Sequence, residues 1–233
     1  MADAALSIAA LEPLAGRGAA GRRVRVSFES GEVLDLPVEL VAGLGWRPGD
    51  RIASREMERA RRRGEALEAR EHALRLLDHQ ARTRRELEHR LRQAGHGEGA
   101  VRFALAWCSA RGFLDDRRFA ESWVASRKLR PEHGSFRIRQ ELAQRGVDAS
   151  LAREVVEAAL PSEEELDRAV AAAHRRLAGR NVTRGPGGRL EQAEAARLGR
   201  YLAGRGFPYE IVRGALQRLG AEAFVEEDPD PSP

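Results

Sequence analysis

The 233-residue chain has one cysteine, few aromatic residues and no long apolar run. Because Cys108 has no second cysteine to pair with, the sequence excludes an intramolecular disulfide and a zinc site built from several cysteines. No uninterrupted apolar stretch approaches the roughly 20 residues that a membrane-spanning helix requires. Aromatic residues make up 5% of the chain and hydrophobic residues 42%, which favours several small helical cores. We therefore expect a cytoplasmic protein that does not associate with a membrane.

Lysine is almost absent, because 39 of the 40 basic residues are arginine and only Lys128 is lysine. A GC-rich genome explains the preference for arginine, but it does not explain where the charge lies. The net charge is 0 over residues 1–79, +7 over residues 80–145 and −3 over residues 146–233. The middle of the chain is therefore expected to attract a polyanion or an acidic protein surface.

Signals for catalysis, metal binding or cofactor binding are weak throughout. Asp115 and Asp116 are a pair of carboxylates, but at the start of a helix they more simply cap backbone amides. Cys108 lies in an apolar helix and is expected to be a buried, inert thiol. The histidines show no zinc-ligand spacing and are expected on polar faces: His72, His79, His89, His96, His133 and His174. The sequence predicts a protein that is not an enzyme and that needs no metal or cofactor.

One helical sequence motif occurs three times. A pair of apolar residues four apart is followed four residues later by glycine, as in Leu87-x3-Leu91-x3-Gly95, Ile138-x3-Leu142-x3-Gly146 and Leu198-x3-Leu202-x3-Gly206. Apolar residues four apart form one stripe on a helix, and the glycine is typical of a left-handed C-terminal cap. Each copy precedes a second apolar-periodic run. The pattern predicts a mainly α fold, an elongated stack of three tandem three-helix repeats.

Residues with hydroxyl side chains mark several predicted helix starts. Thr83 with Glu86, and Ser162 with Glu165, both match the capping box. Ser135 is a candidate cap for the helix that carries Ile138 and Leu142.

The residue pattern near the N-terminus predicts a small β-hairpin. Val24–Phe28 alternates apolar and polar residues, Glu29–Gly31 is turn-like, and Val33–Leu36 supplies a second strand. From Ser54 a polar, arginine-dense helix follows, which is either a linker helix or a basic arm. The predicted division is a flexible N-terminus (1–20), a β-hairpin module (21–56), a linker helix (57–71), repeat 1 (72–108), repeat 2 (109–160), repeat 3 (161–220) and an acidic, proline-rich tail (221–233).

The order of residues in the middle of the chain resembles the bacterial regulatory protein RecX family. The resemblance lies in Ala73-Leu74-x-Leu76-Leu77, Arg82-Thr83-x2-Glu86-Leu87, Arg111-Gly112-Phe113-Leu114-Asp115-Asp116-x2-Phe119-Ala120-x2-Trp123, and Gly134-x2-Arg137-Ile138-x2-Glu141-Leu142-x3-Gly146-Val147. It is specific through residues 72–160. Repeat 3 follows the family more loosely, with Arg180–Leu190 similar to an inserted loop. His96 departs from the pattern, because an apolar residue is expected after the glycine.

The resemblance implies a negative modulator of the RecA recombinase. We expect the protein to be a monomer. Members of the family bind the RecA filament on single-stranded DNA, in its groove or at its growing end, and reduce ATPase, strand exchange and co-protease activity. The clustered charge adds candidate contacts for the RecA filament or for phosphate. They are Arg82, Arg84, Arg85, Arg90, Arg92, Arg127, Lys128, Arg130, Arg137, Arg139 and Arg145. The alternative is a helical nucleic-acid-binding module that acts directly on single- or double-stranded DNA.

Overall fold

The computed structural model describes residues 5–14, 23–128, 132–178 and 190–220. Four strands are present in this part: β1 (Ala5–Leu14), β2 (Arg23–Phe28), β3 (Val33–Pro37) and β4 (Arg51–Ala53). The helices are α1 (Val38–Leu44), α2 (Ser54–His79), α3 (Arg84–Gln93), α4 (Glu98–Ala110), α5 (Asp116–Lys128), α6 (Ser135–Gln144), α7 (Ala149–Ala159), α8 (Ser162–Leu177), α9 (Gln192–Gly204) and α10 (Tyr209–Arg218). The mainly α fold with a small N-terminal β module is confirmed. None of these helices is both long enough and apolar enough to cross a bilayer.

Two compact units divide the chain, one over residues 1–115 and one over residues 116–233. The first unit contains the sheet, α1 and the helices of repeat 1. The second contains repeats 2 and 3. The acidic tail and most of the Arg180–Leu190 segment lie outside the described residues.

The N-terminal module is an antiparallel four-stranded sheet with strand order β3-β2-β1-β4. The predicted hairpin of β2 and β3 is present, with Val26 opposite Leu34. The expected flexible N-terminus over residues 1–20 is wrong for Ala5–Leu14, because β1 pairs with β2 on one side and with β4 on the other. Its composition shows little alternation, so the strand is stabilised by these neighbours and by burial of Ile8 rather than by its own pattern.

Helix α2 is one continuous element of 26 residues, about 39 Å long, and it is not a separate linker. Its first half packs on the sheet, where Ala60 is buried in the core of the module. A Cβ atom on Gly64 would approach Leu36 Cδ2 to 2.8 Å, so glycine allows this close contact. In its second half Ala69 and Ala73 enter the core of repeat 1. The same helix therefore belongs to both parts of the first unit.

Each repeat buries equivalent positions of its second and third helices. The second helix contributes two fully buried residues per repeat: Leu87 and Leu91, Ile138 and Leu142, Leu198 and Leu202. The third helix contributes Val101 and Leu105, Ala152 and Val156, Val212 and Leu216. These residues keep the 51- and 60-residue offsets of the three glycines, which confirms the predicted three-helix repeats.

The glycine of each motif ends the second helix of its repeat in the same Schellman turn. Gly95, Gly146 and Gly206 have φ angles of 86°, 85° and 82°, a region that favours glycine. In repeat 2, the Gly146 amide donates to the Ala143 carbonyl at 2.9 Å and the Val147 amide donates to the Leu142 carbonyl at 3.0 Å. The matching pairs of bonds are present in repeats 1 and 3. The predicted left-handed caps are confirmed.

His96 takes the position that is apolar in the other two repeats. Val147 and Phe207, which follow the glycines of repeats 2 and 3, are each 4% exposed and belong to their cores. His96 is only partly buried, and its Nε2 lies 3.1 Å from His72 Nδ1 on α2. Burial first, and then the charges of His96 and Arg75, lower the pKa of His72 below its ordinary value. A pair of histidines thus replaces an apolar contact in repeat 1.

The expected caps are correct at one helix start of the three. The Glu86 amide donates to Thr83 Oγ1 at 3.1 Å, and Glu86 Oε2 accepts from the Thr83 amide, so this capping box is confirmed. Ser162 does not cap α8, and Ser135 does not cap α6, because Pro161 and Gly134 hold the cap positions. Glu165 instead accepts a hydrogen bond from the Ser135 amide at 2.6 Å, which joins repeat 3 to repeat 2.

Repeats 2 and 3 meet through their backbones. The Gly134 amide donates to the Arg205 carbonyl, and the Phe136 amide donates to the Gly206 carbonyl, both at 3.0 Å. A Cβ atom on Gly134 would lie 2.3 Å from the Gly206 oxygen, so no larger residue fits without a shift. The buried guanidinium of Arg168 donates to the carbonyls of Lys128 and His133, both at 3.0 Å. These contacts hold the second unit together.

Leu142→Ala is expected to lower the free energy of unfolding by roughly 2–5 kcal/mol, because a fully buried leucine would leave a cavity. Chemical denaturation followed by circular dichroism measures this change. Glu157→Ala, an exposed site on α7, is the control and should change stability by no more than about 0.5 kcal/mol. Equal stability of Leu142→Ala and the wild type would refute the core role of Leu142.

Candidate partner-binding surface

The structure separates the predicted contact residues into those that hold the fold and those that face solvent. Arg130 lies outside the described residues. Arg82 Nε donates to the Leu76 carbonyl at 3.2 Å and closes the turn between α2 and α3. Lys128 Nζ donates to the Ala159 carbonyl at 2.8 Å and to Glu164, so it links α5 to the end of repeat 2 and to α8. Two of the predicted contacts are thus already engaged within the fold.

Two more predicted residues, Arg127 and Arg145, lie over the indole of Trp123, and Arg137 contacts the same group through Glu141. The guanidinium carbons of Arg127 and Arg145 lie 4.2 Å and 4.9 Å from its ring centroid, a cation–π arrangement. Phe119 also stacks on Trp123, with ring centroids 5.9 Å apart. Glu141 accepts hydrogen bonds from Trp123 Nε1 at 3.2 Å and from Arg127 Nε at 2.6 Å, and Arg137 Nε lies 3.4 Å from its other oxygen.

The Glu141 carboxylate therefore offsets part of the positive charge of Arg127, Arg137 and Arg145. Burial of the carboxylate by itself raises the pKa of Glu141, but the hydrogen bonds from Arg127, Trp123 and Arg137 outweigh it, and the pKa lies below its ordinary value. The side chain of Arg127 is 22% exposed, so it serves the packing of repeat 2 more than a partner. Arg137, 45% exposed, keeps part of its guanidinium in solvent.

Helix α3 carries the most accessible of the predicted residues. Arg85 and Arg90 are exposed and have no carboxylate within ion-pair distance in the described part of the chain. Arg92 is exposed and pairs with Glu88 at 2.7 Å along the helix. Arg84 Nη1 contacts Ser109 Oγ at 3.4 Å. On the equivalent helix α6, Arg139 is partly exposed and likewise lacks a carboxylate among the described residues.

A second group of arginines and aromatic residues lies in the first unit, where residue patterns gave no prediction of a contact. Trp107 on α4 stacks on Phe113, with ring centroids 5.8 Å apart and planes inclined by 15°. The guanidinium groups of Arg70 and Arg111 lie 5.3 Å and 4.5 Å from the Trp107 ring. The signal in the sequence is the four-residue spacing of Phe103, Trp107 and Arg111, which places them on one helical face.

The other candidate reactive residues take structural positions. Cys108 is fully buried, as expected, and burial raises the pKa of its thiol. Asp116 lies in the first turn of α5, where its charge meets the positive end of the helix dipole. The expectation that all six histidines sit on polar faces is wrong for His72, His96 and His133, which are partly buried. Among the described residues, no three histidine, cysteine or acidic side chains come together as metal ligands.

Comparison with known proteins identifies the family. Two family models match the helices described above: the first three-helix domain of RecX over residues 69–108, and the second over residues 115–156. The regulatory protein RecX of Halorhodospira halophila is 39% identical over 171 residues, which cover 73% of this chain and 96% of that protein. The chain belongs to the RecX family. The RecX protein of Chromobacterium violaceum is 35% identical over 166 residues, or 70% of this chain and 97% of the relative.

Solved structures of RecX proteins share the fold. A crystal structure of regulatory protein RecX superposes with a TM-score of 0.68 at 18% identity and covers 91% of this chain and 99% of that one. RecX from Lactobacillus salivarius gives a TM-score of 0.60 at 22% identity, over 66% of this chain and 96% of that chain. The RecX three-helix domains correspond to the repeats that carry Arg85, Arg90 and Arg139.

Glu141→Gln tests how the Trp123 group depends on charge. The pKa of Glu141 is lower in the folded than in the unfolded protein, so its contribution to stability is present above about pH 4.5 and is lost as the pH falls through the folded pKa. We expect the wild type to lose more stability than Glu141→Gln between about pH 5 and pH 3. Denaturation midpoints across this range measure the difference. The exposed Glu157→Gln is the control, and parallel curves for all three proteins would contradict the assignment.

Proposed function

We propose that this RecX-family protein is a negative modulator of the RecA recombinase. It binds the RecA filament on single-stranded DNA, in the filament groove or at the growing end, and reduces ATPase, strand exchange and co-protease activity. The protein acts by binding, without chemistry of its own, and its relatives are named as regulatory proteins. The observation that supports a binding role is the set of solvent-facing arginines on α3 and α6 that lack acidic partners among the described residues.

Unpaired arginines suit an acidic protein surface better than paired ones do. An arginine that already pairs with a carboxylate must lose that bond before it binds a partner, whereas Arg85, Arg90 and Arg139 need only lose water. Their planar guanidinium groups bind a carboxylate through two parallel hydrogen bonds. Charge of this kind accelerates the encounter with an acidic partner and sets the orientation of the complex. The net charge of +7 over residues 80–145 supports the same region as the point of first contact.

The direct test is the ATPase activity of purified RecA on single-stranded DNA while this protein is titrated. We expect activity to fall at amounts of the protein well below one per RecA protomer, because a block at a growing filament end acts on many protomers. If ATPase is unchanged while the protein binds naked DNA tightly and with strong salt dependence, the nucleic-acid-binding module is the correct function instead.

A triple charge reversal, Arg85→Glu with Arg90→Glu and Arg139→Glu, is expected to weaken ATPase inhibition by at least about tenfold. The variant should melt like the wild type, because exposed arginines without acid partners contribute little to folding. Arg137 is left unchanged, since a glutamate there would face Glu141. The matched control reverses three exposed arginines elsewhere, Arg51, Arg153 and Arg200, with the same change in net charge. Equal inhibition by both variants would show that the named arginines are not the contact.

A further inference from the structure

A groove runs along the first unit between helices α2 and α4. It has a volume of about 610 Å³ and is open to solvent. Four arginines contribute to its walls, which expose mainly apolar atoms, including the aliphatic parts of these side chains. The lining residues are Arg59, Arg62, Arg63, Ala66, Leu67, Arg70 and Phe103. The contacts predicted from the clustering of charge lie elsewhere, so the groove is a separate surface.

Two of the four arginines of this groove, Arg59 and Arg63, are free to bind an anion. Arg62 pairs with Glu58 at 2.8 Å, but Arg59 and Arg63 have no carboxylate within ion-pair distance in the described part of the chain. Arg70 has a buried Nε that makes no hydrogen bond, and its guanidinium lies over Trp107. Along α2, Arg59 and Arg63 are one turn apart, and Arg70 follows two turns later. The charges therefore form a row, as a ligand with a repeated negative charge requires.

Aromatic rings lie beside this row of charge. Phe103, in the groove, is 42% exposed although it is a large apolar side chain. One helical turn further along α4, about 6 Å away, Trp107 stacks on Phe113, which is 50% exposed. Arg70 belongs to both features, because it lines the groove and also lies over the Trp107 ring. Arg70 thus connects the row of charge in the groove to the Trp107–Phe113 stack.

We propose that the groove between α2 and α4 binds single-stranded nucleic acid, with phosphates on Arg59, Arg63 and Arg70 and with unpaired bases stacked on Phe103 and Phe113. A single strand presents phosphates along one edge and flat π-faces along the other, and proteins that bind it combine the same two features. Bases in a duplex already stack on each other, so a duplex cannot use the aromatic rings in this way. The assignment stands independently of the proposed action on RecA.

An acidic protein segment is the competing occupant, and the chemistry of Phe103 distinguishes the two. A base needs an aromatic face, whereas an apolar anchor of a peptide packs equally well on leucine. Phe103→Leu is therefore expected to weaken binding of a fluorescein-labelled 20-nucleotide oligo(dT) by roughly 5- to 150-fold, the range measured for loss of one stacked base. Phe103→Ala should do the same, and Phe103→Trp should bind at least as tightly as the wild type. Fluorescence anisotropy of the full chain measures all four proteins.

The arginines are tested through the salt dependence of the same binding. Each of Arg59→Gln and Arg63→Gln should reduce the slope of log affinity against log salt concentration by about one, as expected for the loss of one phosphate contact. Phe136→Ala and Arg153→Gln make the same chemical changes at exposed sites of the second unit and should leave affinity and slope unchanged. All variants are compared with the wild type by circular dichroism, so that loss of structure is not mistaken for loss of binding.

Three results would overturn the proposal. The first is oligo(dT) affinity that is the same in the wild type and in Phe103→Leu. The second is tighter binding of the wild type to a glutamate-rich helical peptide than to oligo(dT), together with loss of peptide binding in Phe103→Ala. This result would identify an acidic protein segment as the occupant. The third is a loss of oligo(dT) binding in the second-unit controls but not in the groove variants. These binding assays are done without RecA, so a negative result would not contradict the proposed inhibition of RecA.

Discussion

The left-handed glycine turn that ends the second helix of each repeat is the constraint on which the helical fold depends. Gly95, Gly146 and Gly206 all hold φ angles above 80°, and each turn satisfies two carbonyls that the helix end would leave without partners. The turn also sets the direction of the third helix, so that its apolar face meets the stripe of the second. In repeat 3 the same turn has a further role, because the Gly206 carbonyl accepts the Phe136 amide of repeat 2 at a distance that leaves no room for a side chain at Gly134.

The arginines of this protein fall into two groups, those that stabilise the fold and those that face solvent. Arg168 is 8% exposed and donates to backbone carbonyls of repeat 2, and Arg127 is enclosed by Trp123 and Glu141, so both hold the second unit together. Other arginines, Arg85 and Arg90 among them, extend into solvent without acid partners in the described part of the chain. The sequence alone does not separate the two groups, because an arginine that donates to a buried partner and an arginine that faces solvent are the same residue type. Only the positions of carboxylates and carbonyls distinguish them.

The repeats could be predicted from the sequence because periodic leucines and a terminal glycine depend on local geometry alone. The resemblance to the RecX family came from the same local order of residues. Features that depend on residues distant in the sequence could not be predicted. Strand β1 is stabilised by pairing with β2 and β4. Glu165 accepts a hydrogen bond from the Ser135 amide and does not complete a capping box at the start of α8. The sequence predicts a linker for part of α2 because the buried side of this helix consists of alanines and a glycine, which give little apolar periodicity. The contact of Arg70 with Trp107 likewise depends on the packing of α2 against α4.

We propose that solvent-facing arginines of α3 and α6 contact the RecA filament, while the enclosed arginines maintain the fold. Hydrogen–deuterium exchange of this protein, alone and with RecA filaments assembled on single-stranded DNA, tests it most directly. We expect slower exchange at the segments that carry Arg85, Arg90 and Arg139 when the filament is present. Unchanged exchange in α3 and α6, with protection confined to α9 and α10 of repeat 3, would contradict it.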